Sequence, residues 1–343
     1  MAILKCKMCG GTLDYDREQN LAICPYCGSK STVFDQNRKL FEQYQNQYAA
    51  LLNHPQQTVT EEGFWVETSR EELLREDGNM IEINYFTKQP ADMCTMYVAK
   101  QSVLYLFEEK HAHYAARYQE MIQKLVYPTP EMERHLSDYI PKMLTQCRLS
   151  DGRILLALRK KEGLYPLNLL GVLLDRHVAW IISRLENLCC LLDYNDIVLN
   201  GFAVQNLFVE PAAHQIYLYG GWWFAGVRGE ESVGASQDVV SCLDAARKKM
   251  WNTQPKQKVR NHPITDLKSI RLTAAKLLGY PDMDALKEDT LLPKAFRKFL
   301  LETPKQNARE DFATWDKTLL AAYGERKFIP LPMTEEEIYS RHL

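Results

Sequence analysis

The sequence predicts an α+β protein: a small turn-rich module first, then an antiparallel sheet carrying one helix, then a mostly helical half. Three observations predict this order. Two Cys-x-x-Cys pairs, each followed by glycine, fall within residues 1–34. Short apolar and β-branched runs at 80–86, 94–99, 103–107, 143–149 and 154–158 have the length of strands, with turn residues between them. Beyond residue 165 apolar residues recur mainly at helical spacing, interrupted by two strand-like runs at 207–209 and 215–219.

The first element is built on Cys6-Lys7-Met8-Cys9-Gly10 and Cys24-Pro25-Tyr26-Cys27-Gly28. Each turn aims two thiolates at one point, and the glycine lets backbone amides fold around the sulfur. Four thiolates complete a tetrahedral shell with no open position, the arrangement of structural zinc. Cys6, Cys9, Cys24 and Cys27 are therefore expected to hold one structural Zn²⁺, which supplies folding energy to a ribbon (1–34) too small for a core of its own. Lys5, Lys7, Lys30 and Arg38 are balanced by Asp14, Asp16, Glu18 and Asp35, which weakens a nucleic-acid role for the ribbon. Leu40, Phe41, Tyr44, Tyr48 and Leu51 stand near helical spacing, and a stretch with Pro55 follows, so 35–62 reads as a helical linker.

The sheet region, 63–163, includes a helical pattern over 114–125 and a hairpin that turns at Ser150-Asp151-Gly152. The segment 165–194 is the most apolar, but Asp175, Arg176, Arg184 and Glu186 break it, so it reads as a buried helix and not a membrane span. Near the end, Thr334 and Glu337 have capping-box spacing ahead of Ile338 and Tyr339, which predicts a last short helix.

Composition bounds the function. With 46% hydrophobic and 25% charged residues and a formal net charge of -2, the 343-residue chain lacks the overall positive field that drives nucleic-acid binding. No signal-peptide pattern opens it. Beyond the four zinc-spaced cysteines remain Cys94, Cys147, Cys189, Cys190 and Cys242, an odd number that favours reduced thiols in a cytoplasmic protein.

The run Leu199-Asn200-Gly201-Phe202-Ala203-Val204-Gln205-Asn206, followed by an apolar strand, resembles the catalytic loop of protein kinases, His-x-Asp-x-x-x-x-Asn. Asn206 keeps the metal-binding asparagine, while Leu199 replaces the histidine and Gly201 the catalytic aspartate. After a hairpin, Tyr219-Gly220-Gly221 stands where a kinase carries Asp-Phe-Gly. One register puts Tyr219 at the magnesium aspartate and the other puts Gly220 there; neither offers a carboxylate. The segment from Asp266 to Gly279 resembles the start of the central helix of a kinase C-lobe.

The resemblance covers about residues 80–325 and implies a two-lobed kinase-like fold, with an N-lobe at 63–163 and a C-lobe at 164–343. Tyr97-Val98-Ala99-Lys100 is similar to the kinase strand that carries the phosphate-binding lysine, and Glu120 stands on the following helix, so Lys100, Glu120 and Asn206 are the candidate nucleotide contacts. The run 103–107 fits the third strand better, however, and contains no lysine. Residues 88–93 have no glycine to fold over phosphates. With both carboxylates missing, the resemblance implies a pseudokinase that does not depend on ATP or Mg²⁺.

The whole chain is similar to bacterial proteins that join a zinc ribbon to a kinase-like domain, some of them labelled J-domain chaperones. It contains no His-Pro-Asp tripeptide to support J-protein activity. The expected function is a protein-interaction scaffold or regulator. The alternatives are an atypical nucleotide-binding transferase and a nucleic-acid-binding adaptor that uses the six basic residues and Trp251 within 247–260.

Several other features favour packing roles. Two of Trp222, Trp223 and Phe224 are expected to fill the nucleotide cleft or pack between the lobes; the other reading is an exposed docking patch. His111 and His113 lie near Glu108 and Glu109 without further converging ligands. Asp193, Asn195 and Asp196 read as turn formers.

Overall fold

The computed structural model describes the strands Asp14–Asp16, Leu21–Ile23 and Lys30–Thr32, and then residues 69–241, 259–287 and 289–339. The four zinc-spaced cysteines, the linker 35–62, Cys242 and most of the basic stretch 247–260 lie outside the described residues. The three short strands (β1, β2 and β3) form an antiparallel sheet in that order, with Tyr15 opposite Ala22 and Ala22 opposite Ser31.

Strands β4 (Ser69–Leu74) and β5 (Met80–Tyr85) make a hairpin. Five strands follow: β6 (Thr87–Ala91), β7 (Cys94–Val98), β8 (Ser102–Phe107), β9 (Met143–Arg148) and β10 (Ile154–Arg159). They form one antiparallel sheet in the order β6-β7-β8-β10-β9. Alternation along β8 sends Val103, Tyr105 and Phe107 to one face and Leu104 and Leu106 to the other. Both faces are buried, which is why the strand reads as a continuous apolar run. Leu73 and Ile83 of the hairpin cover the outer face with Tyr97, Leu155 and Ala157. Each such aliphatic side chain removed from water contributes about 1.5–3 kcal/mol.

Between β8 and β9 lie helices α1 (Ala112–Gln123) and α2 (Pro130–Leu136). Thr129 caps α2 by accepting from Met132 N at 3.2 Å, and Pro130 occupies a position where no helical N–H is needed.

After the short strand β11 (Tyr165–Pro166) the chain is mainly helical. The 20-residue α3 (Asp175–Tyr194) has fourteen buried residues. It is followed by β12 (Ile197–Val198), the hairpin β13 (Leu207–Glu210) and β14 (Gln215–Leu218), and β15 (Gly226–Val227). Among the described residues, helices α4 (Gln237–Ser241), α5 (Pro263–Leu277), α6 (Met283–Lys287), α7 (Lys294–Leu301), α8 (Ala308–Tyr323) and α9 (Glu335–Tyr339) follow. Helix α5 is buried along most of its length and packs against α3 and α8. The capping box of α9 is formed: Thr334 N donates to Glu337 Oε2 at 2.9 Å, and Glu337 N to Thr334 Oγ1 at 3.3 Å. No helix of the described residues is long and apolar enough to cross a membrane, and the described cysteines, Cys94, Cys147, Cys189 and Cys190, are free thiols.

Around the large sheet, two strands were not legible in the sequence. The Ser-Arg-Glu-Glu-Leu-Leu of β4 has no strand propensity and becomes extended by pairing with β5. Residues 88–93 are not one loop: β6 takes Thr87–Ala91 and the turn is only Asp92-Met93. Pro90 is tolerated because β6 is an edge strand.

Candidate functional site between the sheet and the helices

The site is assembled by the chain from β12 to β15, which pair with each other and enclose the loop 199–203 and the β13–β14 hairpin. Asp266, on the first turn of α5 and almost wholly buried, accepts from Leu199 N at 2.7 Å and Asn200 N at 2.9 Å. Burial pushes its carboxyl up to about 7, and the two amide donors act in the opposite direction. Asn200, at φ 55°, donates to Asn261 Oδ1 at 2.8 Å, and Asn261 donates to Val227 O at 3.0 Å. The loop is thus held to the central helix on one side and to β15 on the other.

Asn206 is completely buried and is used inside the protein. Its Nδ2 donates to Gly201 O at 2.9 Å, and its backbone oxygen accepts from Tyr219 N at 3.0 Å and Gly220 N at 3.1 Å. Around it the glycine backbones approach closely. A Cβ added at Gly201 would stand 2.6 Å from Gly221 Cα and 2.9 Å from Gly221 O. One added at Gly220 would stand 2.3 Å from Asn206 Oδ1, and Gly221 itself has φ +84°, a conformation that suits glycine. Of the two registers, it is Gly220 whose missing side chain would meet the Asn206 amide.

The space between this loop and the sheet is filled from both sides. Trp223 sets its ring edge-on to Tyr105 (5.0 Å between centroids) and Phe107 (5.1 Å). Tyr219 packs on Phe208 and donates its hydroxyl to Arg159 O at 2.8 Å, at the end of β10; burial pushes this phenol well up. Helix α1 presents Ala115, Tyr118 and Met121 inward, and Tyr118 donates to Pro141 O. Arg117 fastens the helix to the turn after Gly221, donating from Nε to Trp223 O at 3.0 Å and from Nη2 to Ala225 O.

The tip of the β6–β7 hairpin is bonded across the same space. Asp92, at φ 52°, accepts from Ser236 Oγ and from Gln237 N, each at 3.2 Å. Burial raises its carboxyl. Asn168 donates to Gln89 at 2.7 Å, and Tyr339 of α9 stacks on Phe86 at 4.7 Å and meets Tyr165 edge-on. Ala91, Met96, Val98, Val103, Tyr105, Leu158, Asn206 and Trp223 are each 0% exposed.

The structure brings Leu199, Gly201, Asn206, Tyr219, Gly220 and Gly221 together and leaves Lys100 and Glu120 out. Lys100 lies in the exposed turn between β7 and β8, and Glu120 points outward from α1 and pairs with Lys124 at 3.1 Å. Trp222, Trp223 and Phe224 are all buried, which corrects the expectation that only two could be. The 3-10 turn they form points successive side chains in three directions, and the sheet, α1 and the β13–β14 hairpin surround it. Asp193 and Asp196 pair with Arg228. Of the basic stretch, Arg260 is described, donating to Gly229 O at 2.6 Å. Among the described residues no group of three or more His, Cys, Asp or Glu could hold a metal.

Sequence reasoning missed Asp92, Tyr105, Arg117 and Tyr118. Only the adjacent tryptophans gave a signal, because the partners are strand and helix residues that look like ordinary core.

No protein-family model matches the chain, and no curated protein matches it. Solved structures do. Vaccinia related kinase 3 is 16% identical with a TM-score of 0.48, covering 77% of this chain and 94% of that one. A rhoptry kinase from Toxoplasma gondii is 11% identical with a TM-score of 0.49, covering 79% and 90%. The Cydia pomonella granulovirus kinase is 12% identical with a TM-score of 0.44, covering 82% and 99%. All three identities are under 20% and all three TM-scores under 0.5, and the likeness extends to no residue's chemistry.

Proposed function

We propose that this chain is a catalytically inactive kinase-like protein, a pseudokinase with an N-terminal zinc ribbon, acting as a protein-interaction scaffold or regulator. Kinase chemistry is positioning and charge stabilisation: a lysine on the third strand of the sheet, a glutamate on the next helix, a glycine-rich loop, two metal-binding side chains and an aspartate base. The third strand, β8, has no lysine, and α1 turns Ala115, Tyr118 and Met121 inward, with no carboxylate among them. The hairpin tip carries Asp92, which repels phosphate. The observation that carries the reading is the contact of Gly201 with Gly221 and of Gly220 with Asn206. At Gly201 the facing backbone leaves no room for a carboxylate, and at Gly220 the Asn206 amide stands where one would begin.

Calorimetric titration of the full-length protein with ATP and ADP, with and without Mg²⁺ or Mn²⁺, tests this. No binding at millimolar nucleotide is expected. Saturable metal-dependent binding would instead support the atypical nucleotide-binding transferase. The nucleic-acid adaptor has its own discriminator, a steep salt dependence of binding.

A further inference from the structure

We propose that Glu186 and Asp311 share one proton in the core of the helical half, clamped by Arg271. Three helices meet there: Glu186 on α3 is 0% exposed, Arg271 on α5 4% and Asp311 on α8 1%. One cation faces two carboxylates, so full ionisation would leave a net negative charge in a site closed to water, which is very costly.

Three of the five N–H donors of Arg271 are already committed. Arg271 donates from Nε to Phe299 O at 3.1 Å, from Nη1 to Leu267 O at 3.1 Å and from Nη2 to Asp311 Oδ1 at 3.0 Å. Asp311 Oδ1 also accepts from Lys305 N at 2.8 Å. Asp311 Oδ2 lies 2.8 Å from Nη1 but without hydrogen-bond geometry, and Glu186 Oε1 is 4.0 Å from it. Three buried oxygens, both of Glu186 and Oδ2 of Asp311, are therefore without a donor. An ionised carboxylate can only accept. A proton on Glu186 makes it a donor to Asp311, satisfies an oxygen on each and removes the excess charge.

Burial and Asp311 both raise the Glu186 carboxyl, and Arg271 opposes them. On its own helix Glu186 is followed by Cys189 and Cys190, thiols that burial keeps protonated. Three further charged side chains, Asp193 of α3, Asp266 of α5 and Arg309 of α8, act on those thiols.

The sign follows from linkage. Above the glutamate's ordinary 4.5 and below its own raised value in the folded chain, the folded chain holds one more proton than the unfolded chain. Rising pH therefore weakens folding across that window, by about tenfold in the equilibrium constant per pH unit. Glu186→Gln keeps a donor toward Asp311 and removes the linkage. Urea unfolding of the full-length wild type and Glu186→Gln, from about pH 5 to about pH 9, should show the variant gaining relative stability as pH rises, toward tenfold per unit. A constant ratio, or a variant that loses ground with rising pH, would mean that Glu186 is ionised and paired with Arg271, and the proposal would fail. If the variant does not fold, carboxyl carbon resonances of the wild type decide. A glutamate still protonated at neutral pH supports the shared proton, and complete ionisation overturns it.

Discussion

Adding one methyl group at Gly201 tests the reading of the site most directly. The Cβ of Gly201→Ala would sit 2.6 Å from Gly221 Cα, against ordinary contacts of 3.4–4 Å, so one backbone must move by roughly 0.8 Å. Neither moves freely. The loop is bonded to Asp266 through Leu199 N and Asn200 N, and Gly201 O holds the Asn206 amide. Gly221 in turn opens the turn that places Trp223 between Tyr105 and Phe107. Overpacking costs about 1–3 kcal/mol and loss of the Asn206 bond about 1 kcal/mol, roughly 2–4 kcal/mol together. That corresponds to a midpoint about 5–15 °C lower for a body of this size. Thermal unfolding followed by tryptophan fluorescence, with urea unfolding as a check, measures it. Gly201→Asp should lose more, since it adds a buried carboxylate, and should gain no nucleotide binding. A Gly201→Ala protein as stable as wild type, or a Gly201→Asp/Gly220→Asp protein that binds Mg-ATP, would refute the reasoning.

Three further outcomes are expected. Asp92→Ala removes the bonds to Ser236 and Gln237, costs about 1–2 kcal/mol and speeds amide exchange at 91–94 and at Gln237; unchanged exchange there would show that the tip is not latched. Lys160 is buried, and desolvation lowers its amine to about 8 from 10.5, so the unfolded chain binds its proton more tightly and stability rises with pH between those values. Allowing for the lost bond to Lys100 O, Lys160→Met should stabilise by about 2 kcal/mol at neutral pH, with the gain vanishing as pH rises through that window; equal effects at both ends would count against it. Elemental analysis of the full-length protein should find one zinc per chain, lost in Cys24→Ser together with order in the N-terminal module. A zinc-free protein with wild-type folding would remove the ribbon assignment.

What was legible in the sequence was what periodicity and punctuation carry. Apolar runs of strand length placed β5, β7, β8, β9 and β10 to within a residue or two, and the Thr334–Glu337 spacing placed α9. The loop around Asn206 was picked out by its resemblance to a kinase loop of fixed spacing, from which Leu199 and Gly201 could be named as departures. β4 and β6 were hidden because their polar sequences become strands only by pairing with neighbours.

By itself, then, the sequence showed that no carboxylate stands at Gly201, Tyr219 or Gly220, that 88–93 holds no glycine and that 103–107 holds no lysine. Absence along a chain needs no coordinates. Only the tertiary structure decided what stands in their place. Tyr105, Trp223, Tyr219 and Asp92 come from four separate elements, and nothing in their spacing shows that they meet. Whether a glycine marks mere loss or a close contact is likewise a question of distance. Gly201 and Gly221 are twenty residues apart in the chain, yet their backbones are too near for a side chain between them. That proximity is produced by the packing of the sheet, α1 and α5 around one loop.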